Sequence, residues 1–149
     1  MGTFYRQTLF ASYEYEANKL VEKDMPVNSE SLSKIMIDLY KHYYDLDITK
    51  EDGKQYVWAY IPHFFGSPYY VYQYATSYSA SLKFYENVKK KVPNAMKNYL
   101  DLLKSGGSDF SINLVAKAGV DLTSKDSFLA VVNRLNDLLD QLELALKGK

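Results

Sequence analysis

A histidine and four tyrosines fall close together, on and just after a segment rich in glycine and proline. His63 lies among Pro62, Gly66 and Pro68, and tyrosines follow at positions 69, 70, 72 and 74. Neutral tyrosine hydroxyls and an imidazole N–H can donate hydrogen bonds to a carbonyl oxygen that becomes an oxyanion. Gly66 has no Cβ, so its backbone can approach a bound peptide closely. The same residues also fit a loop packed by aromatic rings, in which His63 is structural, and composition alone leaves both interpretations open.

The sequence contains few residues that could bind a metal ion or act as a nucleophile. The chain has two histidines, His42 and His63, and no cysteine. Neither histidine begins an H-E-x-x-H motif, because each is followed by two aromatic residues; two histidines at helical spacing therefore cannot bind one zinc ion. Glu14 and Glu16 fall on one predicted helix without a histidine pair, and we interpret both as structural or solvated. We expect no metal site in this chain.

The charge balance excludes several classes of partner. The 18 basic and 18 acidic side chains give a formal net charge of zero, so no long-range attraction to nucleic acid or to an anionic membrane is expected.

No stretch approaches the ~20 apolar residues of a membrane span, and the first residues do not resemble a signal peptide. Because no cysteine is available for a disulfide, we predict a cytoplasmic location.

Helical periodicity recurs along the chain, without strand alternation of useful length. We predict helices over residues 3–21, 55–60, 69–91, 94–104 and 111–118, one from an N-cap at Asn28 or Ser29 to Tyr44, and one after Thr123 or Ser124. Residues 61–68 are expected to be irregular because they contain two prolines and a glycine. With 47% hydrophobic residues the chain can form a core. The sequence predicts one all-α, multi-helix domain over residues 1–149.

Two apolar groups are assigned to this core. The last predicted helix carries a stripe of Phe128, Val131, Val132, Leu135, Leu138, Leu139, Leu142 and Leu146. This stripe is shorter than the ~3–4 heptads that indicate a coiled coil, so we interpret it as ordinary core. Tyr56, Trp58 and Tyr60 are expected there as well. The 15 tyrosines of the chain indicate either a core with a polar edge or the lining of a cleft.

Four stretches, in the same order, are similar to the oligoendopeptidase F family, relatives of thimet oligopeptidase. Residues 61–76 read I-P-H-F-F-G-S-P-Y-Y-V-Y-Q-Y-A-T and resemble the family's I-P-H-F…Y-V-Y-Q-Y-A-T. Residues 4–14 resemble F-R-Q-T-x-F-A-x-[FY]-E, residues 102–108 its L-K-S-G-x-S turn, and residues 118–122 its A-G-V-D-[LM]. The chain departs from the family's pattern at three positions. Ser77 stands in place of a usual glycine, Ser12 in place of a frequent acidic residue, and Tyr69 in place of a frequent phenylalanine.

The resemblance implies a mostly helical, clam-like zinc peptidase that hydrolyses short peptides in a deep cleft. The family's zinc ligands, two histidines of H-E-x-x-H and a downstream glutamate, precede the matched region. This chain would therefore be part of the C-terminal lobe of the catalytic domain. It would hold no metal or cofactor of its own, and it would be inactive without the zinc-binding half.

The resemblance also assigns roles to residues of the 61–76 segment. His63 matches a histidine that steadies the tetrahedral intermediate, and Tyr70 and Tyr72 match the Y-x-Y at the start of the following helix, so these three are the expected catalytic residues. Substrate contacts are expected from Tyr69, Gly66 and Phe65. Which of the three tyrosines donates to the oxyanion stays open, because the spacing from histidine to tyrosine differs between branches of the family.

The sequence leaves three hypotheses about function, which differ in the partners they imply. The first is the substrate-binding part of a zinc oligoendopeptidase, whose partners are an oligopeptide and the zinc-binding half. The second is a peptide-binding or structural module that kept the fold without the chemistry, and the third is an unrelated helical protein. Because a missing half would leave apolar surface uncovered, self-association through the Tyr-rich face is also predicted.

Overall fold

The computed structural model describes residues 2–148 and is helical, with no strand among those residues. Residues 2–148 contain seven α-helices: α1 (Gly2–Glu22), α2 (Ser29–Tyr44), α3 (His63–Gly66), α4 (Tyr72–Lys89), α5 (Ala95–Ser105), α6 (Ser111–Lys117) and α7 (Lys125–Lys147). Two 3₁₀ helices, Ile48–Lys50 and Lys54–Tyr60, lie between α2 and α3. The predicted all-α class is confirmed. Within the described residues, no helix is both long enough and apolar enough to cross a bilayer.

The ends of the helices follow the capping residues that the sequence offers. Asn28 caps α2: its side chain accepts from the Ser31 N–H at 2.9 Å, and the Ser31 hydroxyl accepts from the Asn28 N–H at 3.0 Å. This reciprocal pair satisfies two backbone donors that the first helical turn leaves open. Ser124 caps α7 through the Asp126 N–H, and α5 ends at Gly106 with a positive φ of 52°. Both N-cap predictions are confirmed, each at one of its two named residues.

The described chain forms two compact units that divide between Ala75 and Thr76. The first unit contains α1–α3 and both 3₁₀ helices. Its buried core is Leu9, Phe10, Tyr13, Met36, Ile48, Val57, Ile61 and Val71. In the second unit, the part of α4 after Ala75 meets α5 and α6 around the buried residues Ala80, Phe84, Ala118 and Val120. The single domain over residues 1–149 stays a prediction.

The expected core group around Trp58 is wrong for two of its three members. Trp58 packs against the core of the first unit and donates from Nε1 to the Ser33 hydroxyl at 3.2 Å. Tyr56 and Tyr60 point outward, at 47% and 64% exposure. The segment is a 3₁₀ helix. Its buried residue is Val57, at 6% exposure, so the core contains an aliphatic neighbour of Trp58 rather than either tyrosine.

The stripe of α7 is core over only part of its length. Val131 is fully buried and Phe128 and Leu135 are half-buried, whereas the remaining members are exposed: Val132, Leu138, Leu139, Leu142 and Leu146. The last residue of α4, Lys89, approaches the Asp137 carboxylate at 3.8 Å. Beyond Asp137 the 23-residue helix α7 has passed the end of α4. The interpretation of the whole stripe as core is therefore wrong for its C-terminal half.

Candidate functional site

The segment from Ile61 to Val71 is fixed to the first unit by apolar side chains at both ends and in its middle. Ile61 and Val71 belong to the buried core, at 7% and 0% exposure. Between them the ring of Phe64 is stacked on Tyr13, with centroids 5.0 Å apart, and meets Phe10 edge to face at 5.7 Å. Aromatic contacts of this kind add to the free energy gained by burial. The residues on either side of Phe64 are thus held in place by α1.

The segment is less irregular than its sequence predicts. Residues His63–Gly66 form the single helical turn α3, which begins directly after Pro62, where proline is well suited because it has no N–H to satisfy. Helix α4 begins at Tyr72, three residues later than predicted. Residues 67–70 form a turn before the helix, in which the Tyr70 N–H donates to the Ser67 carbonyl at 3.2 Å. Tyr69 and Tyr70 therefore precede α4.

The imidazole of His63 lies in a cluster with two tyrosine rings. Its ring is stacked on Tyr70, with centroids 5.7 Å apart and planes 15° apart, and meets Tyr74 edge to face at 6.1 Å. Tyr70 and Tyr74 contact each other with centroids 5.6 Å apart. We call these three residues the His63 cluster. His63 is half-buried, and both tyrosines are exposed, at 42% and 38%, so solvent or a ligand can reach their polar atoms.

The other predicted site residues are accessible from solvent. Phe65, Tyr69 and Tyr72 are 66%, 49% and 50% exposed. A Cβ built on Gly66 would meet no atom within 4 Å. The structure brings His63 together with Tyr70 and Tyr74. The roles assigned to these residues stay predictions.

A turn immediately before the tyrosines contains an unusual backbone conformation. Pro68 and Tyr69 are its two central residues, and Tyr69 has a positive φ of 55°. Proline at the second position and positive φ at the third are the pattern of a type II turn, which ordinarily has glycine there. The Tyr69 N–H donates to the Glu14 carboxylate of α1. Glu14 is 6% exposed, so the structural role expected for it agrees with this contact.

Burial sets the protonation of one tyrosine next to this segment. The pKa of Tyr13 is raised well above its usual value because burial disfavours the phenolate. Tyr13 therefore stays neutral at physiological pH and contributes an apolar ring to Phe64. It is a packing residue and not a base.

The donors present do not build a metal site in residues 2–148. No group of three or more histidine and acidic side chains that could hold a metal ion occurs there. His42 is exposed on α2 and packs edge to face on Tyr43, with centroids 5.3 Å apart. His63 contacts the rings of Tyr70 and Tyr74. The two histidines lie on separate helices, so the zinc geometry of two histidines one helical turn apart is absent from this donor set.

Comparison with known proteins places this geometry in a family. The model of peptidase family M3 matches residues 1–134. The chain belongs to peptidase family M3. Among M3 relatives, the group B oligopeptidase PepB of Streptococcus agalactiae is 41% identical over 150 residues, which cover 99% of this chain and 24% of that protein. The oligopeptidase PepF of Bacillus subtilis is 38% identical over 151 residues, 99% of this chain and 22% of that protein.

A solved M3 structure agrees in fold as well as in sequence. The crystal structure of oligoendopeptidase-F from Enterococcus faecium matches with a TM-score of 0.89 and 35% identity, over 99% of this chain and 28% of that one. The resemblance to oligoendopeptidase F is thereby confirmed. The chain spans about a quarter of the length of the relatives it matches.

Sequence reasoning missed two features of this site in the M3 chain: the place of Tyr74 in the His63 cluster and the contact between Glu14 and Tyr69. Tyr74 follows Tyr70 by four residues, and in the helix predicted over residues 69–91 this spacing would bring the two rings together, as they are in the structure. The contact from Glu14 to Tyr69 joins residues 55 positions apart. No local pattern carries that information; the positive φ of a tyrosine after proline is visible only in the folded chain.

Proposed function

We propose that this chain is the substrate-binding part of an oligoendopeptidase that hydrolyses short peptides. The observation that carries the proposal is the His63 cluster, an accessible imidazole and two tyrosines on a segment that Phe64 anchors to buried core. Membership of peptidase family M3 supports peptide hydrolysis as the reaction of the complete enzyme. The names of the oligopeptidase relatives support short peptides as its substrates.

The role proposed for the cluster is to bind the scissile carbonyl as its oxygen becomes negative. An imidazole N–H and a phenol O–H are both donors. Donors that are already in position when charge develops lower the barrier without reorganising. His63 and one of Tyr70 and Tyr72 are the proposed catalytic donors, and Tyr69, Gly66 and Phe65 are proposed to contact the rest of the peptide.

Zinc, which the family implies for the complete enzyme, does not fit the donors of this chain. The two histidines lie on separate helices, and residues 2–148 contain no group of three or more histidine and acidic side chains that could hold the ion. The ion would polarise the carbonyl and activate water in the complete enzyme. We propose that a zinc-binding half outside this sequence holds it, and that this chain alone is inactive.

A peptide-binding module without catalysis is the second candidate. The exposed rings of Phe65, Tyr69, Tyr70 and Tyr72 favour it, because they can contact a peptide without any chemical step. Calorimetric titration with mixed short peptides tests this candidate. Absence of heat on titration counts against binding by the chain alone.

Self-association and a cytoplasmic location complete the proposal. The exposed rings of Tyr69, Tyr70, Tyr72 and Tyr74 form the Tyr-rich face proposed to be covered in a dimer or larger oligomer. A monomer at all concentrations on light scattering contradicts that face as an interface. Fractionation of cells that produce the protein tests its location.

The decisive experiment measures zinc content and hydrolysis of a quenched fluorescent peptide by the 149-residue chain. We expect no stoichiometric zinc and no turnover. Turnover should appear when the region preceding the matched residues is supplied from an M3 relative such as the Bacillus subtilis oligopeptidase. Bound zinc together with turnover by the chain alone would overturn the proposal that the zinc-binding half lies outside this sequence.

A further inference from the structure

We propose that Glu14 is a positioning residue, which holds the turn at Tyr69 in its left-handed conformation and thereby places Tyr70 against His63. The proposal rests on the function proposed for His63 and the tyrosines. Its structural part can be tested without any measurement of activity.

The first observation is the conformation of Tyr69. Its φ of 55° lies where side chains with a Cβ are disfavoured and where the third position of a type II turn usually has glycine. A tyrosine persists there only when its surroundings favour that conformation over the alternatives. Something outside the turn must therefore offset the cost.

The second observation identifies the contact that offsets the cost of this backbone conformation. The Tyr69 N–H donates to a Glu14 oxygen, and this carboxylate is 6% exposed. A hydrogen bond to a charged acceptor is about twice as strong as a neutral one. Breaking it would leave a buried carboxylate with one donor fewer, which penalises any other orientation of the turn.

The third observation connects the turn to the site. Tyr70 directly follows Tyr69, and its own N–H closes the turn on the Ser67 carbonyl at 3.2 Å. Its ring is stacked on His63, which lies four residues before Ser67 at the start of α3. Rotation of the backbone at Tyr69 would carry the Tyr70 ring away, because no residue separates the two.

Neighbouring contacts on α1 hold a different part of the segment. Phe10 and Tyr13 contact Phe64, on the far side of Gly66 from the turn. They fix α3, whereas Glu14 holds the turn between α3 and the buried Val71. Removal of the carboxylate should therefore release Tyr69 and Tyr70 while Phe64 stays packed.

The test uses the 149-residue chain with Glu14→Gln, which keeps the size of the side chain, and Glu14→Ala. Glu16→Gln is the matched control, since Glu16 lies two residues further along α1 and pairs with Lys19 at 2.9 Å. Amide exchange at Tyr69 should accelerate ~10-fold in Glu14→Gln and ~100-fold in Glu14→Ala. Nuclear Overhauser effects between the His63 and Tyr70 rings should weaken in both variants, whereas those between Phe64 and Tyr13 should persist.

A second substitution separates positioning from general damage. Tyr69→Gly adopts the left-handed conformation without help, so it should restore the stacking of Tyr70 on His63 in the Glu14→Ala background. Unchanged stacking of these rings in Glu14→Ala would overturn the proposal. It would also fall if Glu16→Gln separated the rings to the same extent, or if Tyr69→Gly restored nothing.

Kinetics of the complete enzyme, this chain joined to a zinc-binding half, then distinguish the two proposals. Glu14→Gln should lower kcat and kcat/KM by the same factor with KM unchanged, the mark of an interaction made in the transition state. If the rings of His63 and Tyr70 separate in Glu14→Gln, but kcat is unchanged both there and in His63→Ala, the proposed function is refuted and the positioning role stands.

Discussion

The imidazole of His63 is stacked on the ring of Tyr70, with centroids 5.7 Å apart and planes 15° apart. In this arrangement a neighbouring ring limits the directions in which the imidazole can turn. A donor restricted in this way loses less conformational entropy when it binds an oxyanion. The predictions for turnover follow from this pair.

His63→Ala in the complete enzyme should lower kcat by ~10²–10³, the usual loss for one oxyanion donor. Steady-state hydrolysis of a quenched fluorescent peptide measures it. His42→Ala is the matched control, because His42 is exposed on α2, apart from the cluster. Equal rates for His63→Ala and the parent enzyme would show that the imidazole does not stabilise the transition state.

Tyr70→Phe and Tyr72→Phe each remove one hydroxyl and keep the ring. Both should lower kcat, and we expect the larger loss for Tyr70→Phe, because the Tyr70 ring is already held beside His63. Tyr56→Phe, exposed on a 3₁₀ helix, controls for loss of a tyrosine hydroxyl in general. A lower kcat in Tyr72→Phe alone would show that Tyr72 is the donor. An unchanged kcat in both variants would show that neither hydroxyl takes part in the mechanism.

Phe64→Ala should destabilise the first unit by about 2–4 kcal/mol, since it removes a ring that contacts both Tyr13 and Phe10. Phe65→Ala is the matched control: its ring is 66% exposed, and loss of exposed side chains usually changes stability by less than ~0.5 kcal/mol. Urea denaturation followed by tyrosine fluorescence gives both values. Equal costs would mean that the segment is not anchored through Phe64.

The sequence predicted the helices well because their signals are local. Asn28 and Ser124 start helices by side-chain hydrogen bonds within three residues, and such short-range chemistry is readable from the chain. The class and family were equally accessible, since the motifs of residues 4–14 and 61–76 are continuous stretches.

Burial and the details of the site were less accessible because they depend on distant residues. The alternation of Tyr56, Trp58 and Tyr60 gives no indication of which ring meets Ser33, 25 residues away. The apolar stripe of α7 is as regular after Asp137 as before it, but its buried residue, Val131, lies in the earlier part and its later members are exposed. The bond between Glu14 and Tyr69 depends on a turn whose conformation differs from the usual preference of tyrosine.

Asp109 should titrate near pH 2, below the usual 3.8. Hydrogen bonds from Lys117, from Asn113 and from the Phe110 N–H favour its charged form and lower its pKa to about 2. Because the folded pKa is the lower one, the stabilisation is complete above pH 3.8 and is lost as the pH falls toward 2. Carboxyl carbon shifts in nuclear magnetic resonance measure the midpoint. Lys117→Met should move that midpoint upward, and an unchanged midpoint would show that the contact at 2.7 Å does not set it.

Val131→Ala and Leu142→Ala should differ strongly in their effect on stability, although both residues belong to the same stripe of α7. Val131 is fully buried, so removing two carbon atoms should cost about 2–3 kcal/mol through lost burial and the remaining cavity. Leu142 is 55% exposed and alanine favours helices, so its replacement should change the free energy of unfolding by less than ~0.5 kcal/mol. Chemical denaturation at two protein concentrations checks both values. A cost for Leu142→Ala that grows with concentration would mean that another copy covers the stripe, and the interface predicted at the Tyr-rich face would then lie on α7 instead.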